Sequence, residues 1–534
     1  MARGDAIVVC PEPLAAEAGG RVLRAGGNAV DAVIAAAYAQ GLVNPLMCGI
    51  GGTGHILVHE SETGESVMAN FGSRAGSLAH ERVYPDIEPT VFANRFRARG
   101  WANYVGYQSI TIPSFVRGTW DTHQRFGRLA WDALLEPAVE AAEDGVTIDE
   151  FTFSFWDPQR VRHGDSPDPR VTLTATEECA RIYLKDDGSV YGIGERLYQP
   201  DYGRTLRRIA AEGADVFYEG DIGRAIADDF EANGALVTRE DLRTYRTPFE
   251  RPVSGTFHGM EVLTERSPSM GSLEIEALHI LQELDLVGAG WRSPSYYDLL
   301  ARVFQVIYRD RARWNADPNF VDVPIASFHS RERAKQLAVE IDQGARLAAG
   351  AGASGSGDTT HVSAVDRWGN AASFTHSNGN SAGVVTPGLG FLHNHHMHNF
   401  DPRPGYNDSI AAGKSPLYGC SPLMLMRAGA PEIVSGSKSR YRVTAELQVL
   451  VDLFTFGASL HDALEHPRIH AEYAPGKLYL EPTFPQQTRS ELERLGWESI
   501  VVNMAVPMCT ILKHRDGSWE AVADPRGGGG LVTC

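Results

Sequence analysis

Apolar positions near the start of the chain recur at helical spacing and then alternate as in a strand. The segment PLAAEAGGRVLRAGGNAVDAVIAAAYAQGLVNP predicts two alanine-rich helices. Gly26 and Gly27 are expected to end the first and Asn28 to cap the second. The glycine-dense turn MCGIGGTGHILVHE then leads into an alternating strand. No Lys-Ser/Thr pair and no helix follows these glycines, so a structural turn is preferred over a nucleotide-binding loop.

Helical spacing of apolar residues covers most of residues 120–235, for example in DALLEPAVEAAEDG. The run PVSGTFHGMEVLTE alternates like a β-hairpin, and amphipathic helices return over residues 297–343. Apolar periodicity is then lost in residues 344–358, GARLAAGAGASGSGD. Small, flexible residues of this kind predict a linker. We find no internal repeat.

The linker runs directly into two alternating segments, TTHVSAVD and AASFTHSN, around a Trp-Gly-Asn turn. This pattern predicts a β-hairpin whose first strand begins at Thr359. A threonine hydroxyl becomes nucleophilic when a base removes its proton, and its own α-amino group can do so once the preceding peptide bond is broken. Attack of the Thr359 hydroxyl on the carbonyl of Asp358, then hydrolysis of the resulting ester, would free that amine. An ordinary strand-edge threonine is the alternative.

Composition narrows the class of protein. The 534 residues are 43% hydrophobic and 22% charged, which is typical of a globular chain with two to four domains or one large composite domain. The net charge of −18 makes nucleic acid and anionic membranes poor partners. Neither a bilayer-spanning run nor a signal peptide is evident, which predicts a cytoplasmic protein. Six widely spaced cysteines are expected to be buried free thiols.

The segment GDTTHVSAVDRWGNAASFT resembles the nucleophile region of the γ-glutamyltransferase family, whose members are N-terminal-nucleophile hydrolases. Similar segments occur along nearly the whole chain: LRAGGNAVDAVIAAA, CGIGGTGHILVH, VFYEGDIGRAIADDFEANGALVTREDLRTY, YRDRARWNADPNFVDVP, HPRIH at 466–470 and ADPRGGGG at 523–530. The resemblance implies the α/β (α+β) class and a four-layer αββα sandwich. It also implies a large subunit segment, 1–358, and a small one, 359–534, which together form one composite domain without a metal or other cofactor.

By this resemblance Thr359 is the nucleophile, released by self-cleavage between Asp358 and Thr359. Thr375 and Ser377 lie on the second strand of the hairpin, and the residue at the Ser377 position in the family helps to orient the nucleophile. Strand hydroxyls bonded to neighbouring backbone are the alternative for both.

The chain departs from the family where the substrate is recognised. The family holds the α-carboxylate of a γ-glutamyl group with an arginine and a Ser-Ser pair, and the α-amine with a carboxylate. Here Gly72 stands at the arginine position, and Arg74 follows two residues later, on the same face if the strand stays extended. Asn399 replaces the carboxylate, while Tyr418 and Gly419 replace the serine pair. Arg74, Asn399, Tyr418 and Gly419 are therefore predicted to bind substrate.

Ser439 and Arg440 align with the Gly-Gly pair whose backbone N–H groups stabilise the oxyanion, and backbone donors are kept whatever the side chain. Arg74 and Arg440 favour a carboxylate on the substrate, because arginine binds carboxylates bidentately. Loss of the acidic residue at position 399 removes the charged partner of an α-ammonium group.

The sequence thus predicts a self-processing threonine amidohydrolase that cleaves a small, carboxylate-bearing acyl amide through an acyl-enzyme. Water resolves that intermediate, and transfer to an amine acceptor stays open. A true γ-glutamyltransferase or glutathione hydrolase is the first alternative. An unprocessed, non-catalytic binding protein is the alternative from another class. The two subunits are expected to come from one precursor, and a dimer of such heterodimers is left open.

Four neighbouring histidines suggest a metal site as a rival interpretation. His393 and His395, or His396 and His398, would share a face of a strand and could bind zinc or nickel. Asp401 is the one carboxylate close by in sequence. Pocket lining, with His396 bonded to substrate, is preferred over a metal site, and surface positions are the alternative for the other three histidines.

Overall fold

The computed structural model describes the chain except for residues 90–95, 158–166, 345–358, 420–421, 439–440, 473–476 and 505. Its strands are β1 Ala2–Gly4, β2 Ile7–Cys10, β3 Thr53–Glu60, β4 Glu65–Phe71, β5 Ile87–Pro89, β6 Phe96–Ala98, β7 Val146–Thr147, β8 Arg196–Leu197, β9 Phe249–Glu250, β10 Val253–Phe257, β11 Met260–Thr264, β12 Thr360–Val365, β13 Ala371–Ser377, β14 Leu423–Arg427, β15 Ala430–Ser435, β16 Ile469–Ala471, β17 Lys477–Leu480, β18 Glu498–Val501, β19 Ile511–Lys513, β20 Trp519–Ala521 and β21 Gly530–Thr533.

The helices are α1 Pro13–Arg24, α2 Ala29–Val43, α3 Phe115–Phe126, α4 Trp131–Asp144, α5 Glu150–Trp156, α6 Pro169–Leu173, α7 Glu177–Tyr183, α8 Pro200–Glu212, α9 Asp215–Tyr218, α10 Asp221–Ala232, α11 Arg239–Thr244, α12 Gly271–Glu283, α13 Leu286–Ala289, α14 Pro294–Trp314, α15 Ile325–Phe328, α16 Arg331–Asp342, α17 Arg442–Phe454, α18 Leu460–Glu465 and α19 Gln486–Arg494. Among the described residues, no helix combines the length and apolar character needed to cross a bilayer.

Two antiparallel sheets form the centre of the molecule. The hairpin sheet, named for the predicted hairpin β12–β13, has the strand order β21-β2-β12-β13-β3-β4-β9. The second sheet has the order β1-β20-β19-β15-β14-β11-β10. Apolar side chains between the sheets form one core, helices including α1 and α2 cover the outer face of the hairpin sheet, and helices including α12 and α17 cover the second sheet. This arrangement confirms the predicted four-layer αββα sandwich.

The first two helices begin and end as the sequence predicts. The Asn28 side chain accepts a hydrogen bond from the backbone N–H of Asp31, and the Asp31 carboxylate accepts one from the N–H of Asn28. This reciprocal pair satisfies two N–H groups that a helix start otherwise leaves without partners. Gly26, with φ at 93°, turns the chain after α1 into a conformation that glycine adopts readily.

The hairpin is confirmed, although its first strand begins at Thr360, one residue after the predicted start. The Asp366 carboxylate closes its turn by accepting hydrogen bonds from the backbone N–H and side-chain amide of Asn370. Alternate residues of a strand point to opposite faces. One face of the hairpin therefore packs on the helices, and the other faces the second sheet.

The cysteines largely follow expectation. Cys10, Cys48, Cys179 and Cys509 are buried free thiols, but Cys534 is only half-buried because it lies at the end of the chain. Cys420 and most of the predicted linker lie outside the described residues.

Candidate active site

The polar residues of three adjacent strands meet in rows between the two sheets. Ser377 on β13 pairs in register with Thr53 on β3, and Thr359 immediately precedes β12 beside Ser377. A cleft opens over this row. Its lining residues are Thr53, Gly54, His55, Ser73, Thr359, Ser377, His396, Asn399, Tyr418 and Arg442.

Thr359 lies on the wall of the cleft with 2% of its surface exposed. Its Oγ1 is 3.4 Å from the Oγ of Ser377, to which it donates. Ser377 Oγ also accepts a hydrogen bond of 2.8 Å from the backbone N–H of Gly379, which fixes its position. Ser377 is thus fixed in a position from which it can orient the Thr359 hydroxyl.

Thr375 lies one row farther from the cleft. Its Oγ1 is 2.7 Å from Nδ1 of His361, and it pairs in register with both His361 and His55. Burial lowers the pKa of His361 to about 3, so this imidazole is neutral at physiological pH. Thr375 is absent from the described cleft lining and lies in the row behind Thr359.

Arg442 is a residue of the cleft that sequence reasoning missed. It is the first residue of α17, it is 3% exposed, and its Nη1 lies 3.4 Å from Oγ1 of Thr359. Gly419, predicted to bind substrate, instead borders this guanidinium, because a Cβ at 419 would clash with Nη2 of Arg442. The missed signal was the arginine two residues after Arg440, at the start of an amphipathic helix.

One helical turn after Arg442, the Glu446 carboxyl is completely buried. Burial raises the pKa of Glu446 from 4.5 to about 7, although hydrogen bonds from Ser435 and Glu274 and the charge of Arg442 act in the opposite direction. A carboxyl with a raised pKa binds its proton more tightly in the folded state. Its contribution to stability is therefore complete at acidic pH and is lost as pH rises from about 4.5 to about 7.

We therefore expect Glu446→Gln, which resembles the protonated carboxyl, to be about as stable as the parent protein at pH 5 and more stable at pH 8. Thermal unfolding of both proteins between pH 5 and pH 8 measures the difference. A difference in melting temperature that does not change with pH would contradict the assignment.

His396 and Asn399 line the cleft as predicted. The Nδ1 of His396 is 2.6 Å from Oγ of Ser73 and 3.2 Å from Oγ1 of Thr53. Burial, followed by the charges of nearby histidines, lowers the pKa of His396 well below its usual value. A neutral imidazole at this position can form hydrogen bonds in the cleft but carries no charge.

The other three histidines are buried, so the surface alternative for them is wrong. His393 contacts Thr386, and His398 contacts the carbonyl of His395. The His395 ring lies between the backbone N–H of Asn380 and the carbonyl of Tyr104. The rings of His395 and His398 lie with centroids 4.1 Å apart, but no group of three metal-ligating side chains occurs in the described part of the chain.

Arg74 does not reach the cleft. Strand β4 ends at Phe71, so the extended geometry that would keep positions 72 and 74 on one face is lost. Ser73 lines the cleft instead. Arg74 is half-buried, and its guanidinium carbon is 6.0 Å from the ring centre of Tyr245. The predictions for Asp358, Ser439 and Arg440 fall outside the described residues.

The backbone at Gly72 lies against the side chains of His55 and Tyr418. A Cβ at position 72 would come within 2.8 Å of both the His55 Nε2 and the Tyr418 hydroxyl. The two rings are stacked with centroids 4.7 Å apart. A side chain at position 72 is therefore incompatible with this pair of rings.

We expect Gly72→Ala to lower the free energy of unfolding by about 1–3 kcal/mol, the usual cost of overpacking a filled site. Urea unfolding of the purified variant measures it. Gly192→Ala is the matched control, because its nearest neighbour would be 3.5 Å away, and it should unfold like the parent. If Gly72→Ala and Gly192→Ala are equally stable, the rings of His55 and Tyr418 can move aside at little cost and the prediction is wrong.

Comparison with known proteins agrees with this geometry. The family model described as Gamma-glutamyltranspeptidase matches residues 15–534. The Acylase ACY 1 proenzyme of Pseudomonas sp. (strain SE83) is 32% identical over 97% of this chain and 91% of that protein. The Glutathione hydrolase proenzyme of Escherichia coli (strain K12) is 28% identical over 97% of this chain and 90% of that protein.

Solved structures show the same fold. A cephalosporin acylase from Bacillus halodurans superposes with a TM-score of 0.86 at 24% identity, covering 100% of this chain and 96% of that one. The γ-glutamyltranspeptidase of Helicobacter pylori gives a TM-score of 0.54 at 26% identity over 62% of this chain and 90% of that one. The comparisons confirm the expected class, an acylase-type amidohydrolase made as a proenzyme, with the transferase as its alternative. The chain belongs to the gamma-glutamyltranspeptidase family.

Proposed function

We propose that the protein cleaves itself before Thr359 and then hydrolyses amides whose acyl group carries a second, terminal carboxylate and no α-amine. The observation that carries this proposal is the charge of the cleft. Among its lining residues Arg442 is cationic, His55 and His396 are imidazoles, and none is a carboxylate. Such a lining attracts an anionic acyl group and offers an ammonium group no charged partner.

Self-cleavage uses the same hydroxyl as catalysis. Thr359 Oγ1 attacks the carbonyl carbon of residue 358, the C–N bond breaks, and an ester replaces the peptide bond. Breaking the C–N bond frees the α-amine of Thr359, and water then hydrolyses the ester, which releases a new carboxyl-terminus at residue 358 and restores the Thr359 hydroxyl. That amine is the base that activates the hydroxyl in later turnovers, since an α-amino group with a pKa near 8 is partly neutral at pH 7.

In each turnover Thr359 Oγ1 attacks the substrate carbonyl, and the amine passes the proton to the leaving nitrogen. Water then hydrolyses the acyl-enzyme and releases the acid. Arg442 supports the developing negative charge, because its Nη1 already lies 3.4 Å from the attacking oxygen. Ser377 orients that oxygen by accepting its hydrogen bond.

Cleavage is expected to leave a stable heterodimer. In the hairpin sheet β12 and β13, which follow the cleavage point, pair with β2 and β3, which precede it. The two segments thus share one sheet and its buried cores.

Cleavage of γ-glutamyl amides is the second candidate function, because some relatives of this chain are named glutathione hydrolases. It requires recognition of an α-ammonium group, and the predicted position for that contact carries Asn399 in place of a carboxylate. Another acidic group from outside the described residues would be needed to restore it.

Two anilides separate the candidates, because glutaryl-4-nitroanilide and γ-glutamyl-4-nitroanilide differ only in the α-ammonium group. We expect kcat/KM for the glutaryl compound to exceed that for the γ-glutamyl compound at least tenfold. It should also exceed that of pentanoyl-4-nitroanilide, which lacks the carboxylate. Preference for the γ-glutamyl compound would favour the second candidate and contradict the first.

A further inference from the structure

A buried carboxylate lies directly behind the cleft wall at His55. Oε1 of Glu265 is 2.7 Å from Nδ1 of His55, and the two side chains are 1% and 2% exposed. The hydroxyl of Tyr418 donates to the same oxygen at 3.3 Å. A buried carboxyl group is costly unless neighbouring polar groups compensate it, and the His55 ring and the Tyr418 hydroxyl are the groups that face this one.

The carboxylate also sets the direction of the imidazole. With Nδ1 turned to Glu265 and the ring stacked on Tyr418, the opposite edge of His55, Cε1 and Nε2, lies against Gly72. Gly72 has no side chain to cover that edge, and His55 lines the cleft. The assembly therefore fixes the imidazole of His55 in the wall of the cleft.

The distance from the nucleophile suits a short acyl chain. His55 lies two strands from β12 and one register row from the Thr359–Ser377–Thr53 row, on the same face of the sheet. At ordinary sheet spacings this separates the Cα atoms of His55 and Thr359 by roughly 12 Å. Both side chains point into the space between the sheets, so a chain of a few carbons with a terminal carboxylate can span the gap.

We propose that His55, held by Glu265 and Tyr418, is the specificity-determining residue that binds the distal carboxylate of the acyl group. This role rests on the proposed function, in which Arg442 serves the reacting carbonyl and His55 the far end of the same acyl group. The substrate class is then the monoamides of short dicarboxylic acids.

The test compares glutaryl-4-nitroanilide with pentanoyl-4-nitroanilide in the processed wild type, His55→Gln and His59→Gln. His59 is the matched control, because it lies on the same strand and the same face, is buried, and is bonded to Ser66 outside the cleft. We expect His55→Gln to lower the glutaryl-to-pentanoyl ratio of kcat/KM at least tenfold, mainly through KM for the glutaryl compound. His59→Gln should keep the wild-type ratio.

Glutarate binding measured by calorimetry provides a readout that does not need turnover. We expect His55→Gln to weaken it at least tenfold and His59→Gln to leave it unchanged. If the wild type cleaves neither anilide but binds glutarate through His55, the proposed function fails and the binding role stands. An unchanged ratio together with unchanged glutarate binding in His55→Gln would overturn the role of His55 while leaving the amidohydrolase intact.

If His55→Gln does not fold, Glu265→Gln and Tyr418→Phe test the same assembly with smaller changes. Each substitution removes a polar contact of the His55–Glu265–Tyr418 assembly but keeps the shape of the substituted side chain. Each is expected to lower the glutaryl-to-pentanoyl ratio of kcat/KM. Wild-type ratios and wild-type glutarate affinity in both folded variants would overturn the proposal.

Discussion

Thr359→Ala is expected to remain a single chain of 58.2 kDa and to hydrolyse no amide. The substitution removes the hydroxyl that attacks residue 358 and, in the same step, prevents formation of the amine that would act as base. Denaturing electrophoresis and an anilide assay measure the two effects. Thr359→Ser, which keeps a hydroxyl, should still process.

Thr360→Ala is the matched control for this experiment. The Thr360 hydroxyl belongs to the opposite face of the strand, where it accepts a hydrogen bond of 3.0 Å from Gln40. This variant should process, because its hydroxyl is not directed at the cleft. Processing in Thr359→Ala, or its loss in Thr360→Ala alone, would place the nucleophile elsewhere.

Arg442→Met is expected to lower kcat/KM for the preferred anilide by about 10²- to 10³-fold, the usual effect of removing a donor to a developing oxyanion. The guanidinium lies 3.4 Å from Thr359 Oγ1 in a buried site, where charge is weakly screened. Arg442→Lys keeps the charge but not the planar fork and should recover part of the rate.

Subunit processing and melting temperature show whether the Arg442 variants fold. Arg427→Met, at an exposed arginine paired with Glu432, is the control for loss of a guanidinium and should leave the rate unchanged. A folded Arg442→Met enzyme with wild-type kcat/KM would show that the oxyanion is stabilised by other groups alone.

The parts of this account that the sequence could predict depend on local pattern. Helix α2 follows from Asn28 and its alanine-rich run, and the hairpin follows from two alternating segments around a turn. The prediction for Thr359 followed from a segment of small residues joined to the first strand, together with a family resemblance. Each of these signals lies within a few tens of residues of chain.

The parts that could not be predicted depend on which strands become neighbours. His55 is next to Thr375 only because β3 pairs with β13, more than 300 residues later in the chain. Arg74 was assigned to the pocket on the assumption of a continuing strand, but β4 ends at Phe71. Arg442 was missed because the position of a helix start relative to the cleft is a tertiary property.

Intact mass with N-terminal sequencing of the purified protein tests the central claim most directly. The account predicts two chains, one of them beginning Thr-Thr-His-Val at Thr359 and ending at Cys534. A single chain of 58.2 kDa that persists for days would contradict it, because Thr359 would then have no free amine to act as base. That result would favour the non-catalytic binding protein.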